Sequence, residues 1–122
     1  MTLTIEKRRL EPDMIVLAVS GKLTLGRESQ QVERLVEEII RDNERKVILD
    51  LSGLELIDST GVGIVALCSG KLRQAGGELR VAGAHGMVQE VFKVVRMGSI
   101  TGVYATVAAA AENFTLARTQ GS

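Results

Sequence analysis

The spacing of apolar residues changes several times along the chain, and each change marks a new element. Leu3–Arg9 alternates roughly between apolar and polar residues, which predicts a strand at a sheet edge. Pro12 and Asp13 suit a turn, because proline fixes φ and aspartate tolerates turn positions. Met14–Val19 is a nearly continuous apolar run rich in β-branched residues, the pattern of a strand covered on both faces. The opening therefore reads as a hairpin. From Val32 the period lengthens: Val32, Leu35, Val36, Ile39 and Ile40 form one stripe on a helix. Glu33, Arg34, Glu37, Glu38 and Arg41 take the other side, with Arg34/Glu38 and Glu37/Arg41 at pairing distance. Asp42–Lys46 is a polar connection, and Val47–Leu49, followed by Asp50 and Leu51, reads as another buried strand.

A second helix is expected from Thr60 to Ala75, closed by Gly76-Gly77, since glycine readily takes the left-handed conformation that ends helices. Leu79–Val81 is a short strand. Val88, Val91, Phe92 and Val95 make a third helical stripe that Gly98 stops. A brief strand follows at Val103–Ala105, and Thr106 can cap a last helix bearing Val107, Ala110, Ala111 and Phe114. The order is ββαβαβαβα. Strands alternating with helices imply α/β layering, with parallel crossovers behind an antiparallel start. No repeat or linker divides it, so one domain is expected over residues 1–114, with 115–122 as a flexible C-terminal tail.

Composition narrows the classes. Fifteen Lys+Arg against fifteen Asp+Glu gives zero formal charge, which argues against nucleic-acid binding through a basic face. One cysteine forms no internal disulfide. Charged residues from Glu6 to Arg9 precede any apolar stretch, which argues against a signal peptide. The longest apolar-leaning run, Gly61–Cys68, falls far short of the ~20 residues that span a bilayer. A soluble, cytoplasmic domain without membrane insertion is the expectation.

The chemistry concentrates in Leu54–Ile64. A polar loop after the Val47–Leu51 strand leads to Asp58-Ser59-Thr60-Gly61, where a helix begins. Helix starts carry free N–H groups and partial positive charge, so a hydroxyl there sits where a phosphate is tolerated. With Ile64, Cys68, Leu72 and Ala75 as the core face, the outer face holds Val62, Ala66, Ser69, Gly70 and Arg73, uncharged until the last. That face reads as a docking surface or as close packing within the domain. From local features alone, Asp58 or Ser59 reads first as a plain N-cap, ahead of a regulated or catalytic hydroxyl.

Other constellations are weaker. Gly61-Val-Gly-Ile-Val-Ala66 spells a dinucleotide fingerprint, but the strand before it ends near Leu51 and no acid follows Val81-Ala82-Gly83. Asp58, Ser59 and His85 would be the one triad, and adjacency of the first two makes its geometry awkward. One His and one Cys make no zinc site of the usual kind, and Cys68 reads as an inert buried thiol. Met87 and Met97 read as packing residues, and Phe92, Tyr104 and Phe114 give no stacking platform for bases. No enzyme activity, cofactor or metal is expected.

At Val16–Leu23, Val47–Leu54, Ile57–Ile64 and Gly76-Gly-Glu-Leu79 the chain resembles the STAS domain family, specifically bacterial anti-sigma-factor antagonists. The resemblance implies a four- to five-stranded mixed sheet with about four helices. It also implies that Ser59 is the phosphoacceptor, and that Thr24, Asp58, Thr60, Gly61, Val62, Gly63 and Ala66 meet the partner. That partner would be an anti-sigma factor that is also a serine kinase, with a serine phosphatase resetting the switch. Family members often read Gly-Glu-Leu-Asp where this chain has Gly21-Lys22-Leu23-Thr24, a change that bears on partner identity and on efficient phosphorylation, not on sheet or core. Other family members are scaffold subunits of stress-signalling complexes or subunits of lipid and anion transporters. Dimerisation is left open.

Overall fold

The computed structural model describes residues 3–116 of the 122-residue chain. The hairpin pairs β1 (Leu3–Leu10) antiparallel with β2 (Met14–Leu23), in register from Leu3↔Gly21 to Leu10↔Met14. β2 then serves two parallel neighbours. Its first half, Met14–Ala18, pairs with β3 (Lys46–Asp50), and its end, from Gly21, pairs with β4 (Leu54–Ile57). The register shifts between Gly21 and Lys22, where Gly21 has φ 95° and donates its N–H to the Gly53 carbonyl at 3.0 Å. Glycine takes that backbone conformation without the Cβ clash another residue would meet.

β5 (Glu78–Ala82) and β6 (Gly102–Tyr104) extend the sheet in parallel beyond β3, giving the order β1-β2-β3-β5-β6 with β4 beside β2. The sheet has six strands, one more than the upper expectation. The added strand is β4, which the sequence pattern presents as a polar loop. With four residues and only Leu54 and Ile57 buried, it is too short to display a period.

Alternation along the strands sorts side chains between two layers. Ile15, Leu17, Val19, Val47, Leu49 and Val81 face α1 (Gln30–Arg41), α2 (Ser59–Gln74) and α3 (Gly86–Val94) in the larger core. Met14, Val16, Ile48 and Ala82 face the short α4 (Val107–Ala111) on the other side. Arg80 falls on that second face. It is 8% exposed, its guanidinium lies 4.0 Å from the Phe114 ring centre, and it donates to the carbonyls of Ala110 (3.0 Å) and Glu112 (3.1 Å). An arginine thus binds the C-terminal carbonyls of α4 to the sheet, where the helix dipole also favours a cation.

Several local expectations hold. Gly76 has φ 87°, and Gly76 and Gly77 donate to the carbonyls of Arg73 (3.1 Å) and Leu72 (2.7 Å), closing α2. Thr106 Oγ1 accepts the Ala109 N–H at 3.0 Å and caps α4. Others are corrected. Among the described residues neither Arg34/Glu38 nor Glu37/Arg41 forms an ion pair; Glu33 and Glu37 reach across to Lys71 of α2 at 3.5 and 3.0 Å. α3 ends before Gly98, because Arg96 itself takes the left-handed conformation at φ 56°, and Val95 is left exposed. Met97 is buried as a packing residue, whereas Met87 is exposed. Of the expected tail, residues 117–122 lie outside the described residues.

Candidate functional site at the start of α2

β4 delivers the chain directly into α2. Asp58, in extended conformation at φ −118°, is the N-cap, and its two carboxylate oxygens divide their work. Oδ1 accepts the Gly61 N–H at 2.9 Å, satisfying one of the free donors of the helix start. Oδ2 accepts the Leu25 N–H at 2.9 Å, which fastens the β2–α1 loop against the same helix start. These bonds hold the Asp58 carboxyl below its ordinary value, Gly61 contributing most and Leu25 next, with burial opposing them. The helix cap is therefore Asp58, not Ser59.

Ser59 is the first residue of α2 and is exposed, and among the described residues its hydroxyl makes no hydrogen bond. Ser59, Val62, Gly63 and Ala66 share one helical face by their spacing, and each is at least partly exposed. Thr60 is half-buried at the edge of a groove of about 450 Å³ that it forms with Ile64, Leu25, Arg27 and Glu33. Thr24 precedes Leu25 in the fastened loop, and its carbonyl accepts the Ser29 hydroxyl. The structure therefore gathers Thr24, Asp58, Ser59, Thr60, Val62 and Gly63 around one corner, with Ala66 one turn along.

Three expectations about this corner change. Gly61 is buried, and a Cβ on it would collide with the Leu23 carbonyl oxygen and crowd Ile57, so this glycine lets α2 seat against β2. Gly63, where an added Cβ would meet nothing within 4 Å, is the glycine that faces outward. Ser69 belongs inside: it is buried and its hydroxyl lies 3.4 Å from the Ile100 carbonyl, while Val65 joins the core face. The fingerprint Gly61–Ala66 does follow a strand directly, since β4 ends at Ile57, so one reason against it falls. The other stands: Ala82, at the end of β5, is followed by Gly83 and Ala84, with no acid.

Leu25 is the residue that sequence reasoning missed. It is 81% exposed beside Ser59's helix start, although leucine usually seeks the interior. Its signal was its isolation, the one apolar side chain between Thr24 and Gln31 apart from Gly26.

The remaining reactive groups are engaged elsewhere. His85 is the N-cap residue of α3, and its Nε2 lies 2.8 Å from the Ser52 carbonyl oxygen instead of meeting Ser59. Cys68 is fully buried, and its thiol is pushed up to about 12 by burial first and by the Glu33 carboxylate next. A concavity of about 880 Å³ lies at the other end of α2 around Arg73, Gly77 and Ser99. Among the described residues no group of three or more His, Cys, Asp or Glu stands ready to hold a metal, and no helix is long and apolar enough to cross a membrane.

Fold and site together define a small α/β domain that displays one helix start, with an exposed hydroxyl that makes no hydrogen bond among the described residues. The chain belongs to the STAS domain family, whose model matches residues 5–110. It is 33% identical over 101 residues to BtrV of Bordetella bronchiseptica, by name a candidate anti-sigma factor antagonist, covering 83% of this chain and 86% of that one. A crystal structure of a candidate anti-sigma factor antagonist from Thermotoga maritima superposes with TM-score 0.79 at 20% identity, over 90% of this chain and 93% of that one. The Bacillus cell fate determinant SpoIIAA, in its phosphorylated form, gives TM-score 0.67 at 19% identity, over 88% and 96% of the two chains.

Proposed function

We propose that this chain is an anti-sigma-factor antagonist, a non-enzymatic regulator that works by changing partners. Its α2 corner docks on an anti-sigma factor that is also a serine kinase, and phosphorylation of Ser59 ends the complex until a serine phosphatase removes the phosphate. The observation that carries this reading is the division of labour at the helix start. Asp58 holds the cap, so Ser59 is exposed and free for modification without cost to the fold. The named function of the BtrV relative supports the same reading.

The electrostatics give the switch its strength. Val62, Gly63, Ala66 and Leu25 are the uncharged part of this contact, beside the Asp58 carboxylate, and a phosphate would add about −1.5 to −2 charges to it. The helix N-terminus tolerates that charge in the free protein, where water solvates it. In a dry contact an unpaired charge costs several kcal/mol, and each ~1.4 kcal/mol is tenfold in affinity. Lys22 and Thr24 stand where the family pattern Gly-Glu-Leu-Asp would place acids, so a partner surface facing this loop should lack the cations that pattern would call for. Thr24, Asp58, Thr60, Val62, Gly63 and Ala66 are the proposed contacts, and Gly61 supports them from within.

The test is incubation with any kinase-like anti-sigma factor that the neighbouring genes encode, with ATP, and mapping of the product by mass spectrometry. Phosphate on Ser59, loss of binding in Ser59→Asp, and ATP-resistant binding in Ser59→Ala are the expected results. Modification at Thr60 would move the site. Absence of modification by the neighbouring kinase, with co-purification in a membrane or scaffold complex, would replace this reading with a transporter-subunit or scaffold role.

A further inference from the structure

Among the described residues β6 is the last strand of the sheet and pairs only with β5. The Tyr104 carbonyl accepts the Gly83 N–H at 3.1 Å, so Tyr104 turns its backbone groups toward β5. In a parallel strand the bonding side alternates, which leaves the Val103 N–H and C=O on the open edge. The two edges of this sheet are unlike. β1 carries Glu6, Lys7, Arg8 and Arg9 in exposed positions, the charged dressing that discourages strand addition. β6 presents Val103, 42% exposed and uncharged.

Alongside this bare edge runs a groove of about 390 Å³ between β6 and α3. Val103 and Ala105 give it an exposed apolar lining over the buried Phe92 and Met97, and Lys93 and Arg96 are its charged members, with no carboxylate among the lining residues. Lys93 is engaged only by an exposed contact with Glu90 at 3.6 Å, the kind of pair worth little in water. Arg96 makes no ion pair among the described residues, and it holds a left-handed conformation, φ 56° and ψ 51°, that few non-glycine residues adopt.

From this geometry we propose that the β6–α3 groove binds an extended acidic peptide of a second protein, added to the sheet as a strand beside β6. An open main-chain donor and acceptor at Val103 match another main chain, which a small amphipathic molecule does not supply. The apolar lining takes alternate side chains of such a strand, and Lys93 and Arg96 pair with its carboxylates. None of the residues lining the groove belongs to the corner formed by Thr24, Asp58, Ser59, Thr60, Val62, Gly63 and Ala66. The groove and the Ser59 corner are thus separate surfaces, and a peptide partner can be held whether or not Ser59 is modified.

The probe is a phage-displayed random heptapeptide library panned on the full chain, with a Lys93→Glu/Arg96→Glu variant as the comparison surface. The expected clones alternate apolar residues and carry Asp or Glu. The corresponding synthetic peptides should bind at least tenfold more weakly to the double variant, slow amide exchange at Val103, and bind Ser59→Ala as they bind wild type. Val103→Pro, which removes the edge N–H, should weaken binding similarly; circular dichroism checks that each variant folds. Failure to enrich any clone on wild type over the double variant would overturn the proposal. So would exchange protection confined to α2, binding of octanoate without peptide enrichment, or a dimer in sedimentation that the double variant abolishes.

Discussion

Asp58→Ala removes two acceptors in one step, and the structure lets each loss be estimated. Loss of the N-cap bond to Gly61 costs about 1 kcal/mol. Loss of the bond to Leu25 costs about 1 kcal/mol more, at the low end for a charged acceptor because the loop stays in contact with water. The total, ~2 kcal/mol, lowers the melting temperature by roughly 8 °C in a chain of this size. Asp58→Asn keeps an oxygen for the cap but lacks a second acceptor for the loop, so about half of that loss is expected. Thermal and urea unfolding at neutral pH, followed by circular dichroism, give both numbers.

The pH dependence is the sharper check. The folded-state Asp58 carboxyl lies below its ordinary value of 3.8 because the Gly61 and Leu25 N–H groups favour the anion. A depressed acid stabilises the fold above its unfolded value and loses that contribution as pH falls through its folded value. The stability gap between wild type and Asp58→Asn should therefore be full above about pH 5 and shrink as pH drops below the ordinary carboxyl range. A gap that stays constant into that acid range, or an Asp58→Ala variant within about 0.5 kcal/mol of wild type, would refute the two-armed role of this residue.

Arg80→Met keeps the apolar stem but strips donors from the carbonyls of Ala110 and Glu112, so a loss of about 2 kcal/mol is expected, with faster amide exchange confined to α4. Unchanged exchange at Ala110 would show that packing, not Arg80, holds that helix. Two glycines two residues apart should respond with opposite signs. Gly61→Ala meets the Leu23 carbonyl, and despite ~1 kcal/mol of gained helix propensity it should destabilise by about 1 kcal/mol or more in urea unfolding. Gly63→Ala has open space around it and should stabilise by up to about 1 kcal/mol in the same assay.

Long amphipathic stretches were legible because burial imposes one period over many residues. The Val32–Ile40 stripe and the Met14–Val19 run fall where the structure buries them. β4 escaped because four residues show no period, and its partner is the far end of β2, a pairing that depends on a bulge at Gly21. The site was half legible. The identity of Asp58-Ser59 was visible in the chain, but which residue capped the helix was not, since both types serve equally well. Leu25 and Arg80 were invisible for the opposite reason: each contradicts its own residue type, one exposed and one buried, and only tertiary contacts explain them. Ser69 was misplaced because a small residue on a helix face reads alike as surface or as close packing.

Because Asp58 and not Ser59 caps α2, the modification proposed for Ser59 would leave the cap bond to Gly61 in place. Had Ser59 been the cap, its oxygen would already be bonded to a helix N–H, and a phosphate would have had to rearrange that bond. Asp58 makes the cap bond instead, and it also ties down the Leu25 loop, so the surface around Ser59 is fixed before any partner arrives. Pre-ordering of this kind lowers the entropic cost of docking, because loop and helix start need not be arranged at the moment of contact. It also makes the two groups separable in experiment. Asp58 variants should change stability and loop order first, and binding through them. Ser59 variants should change binding while leaving the unfolding midpoint where it was.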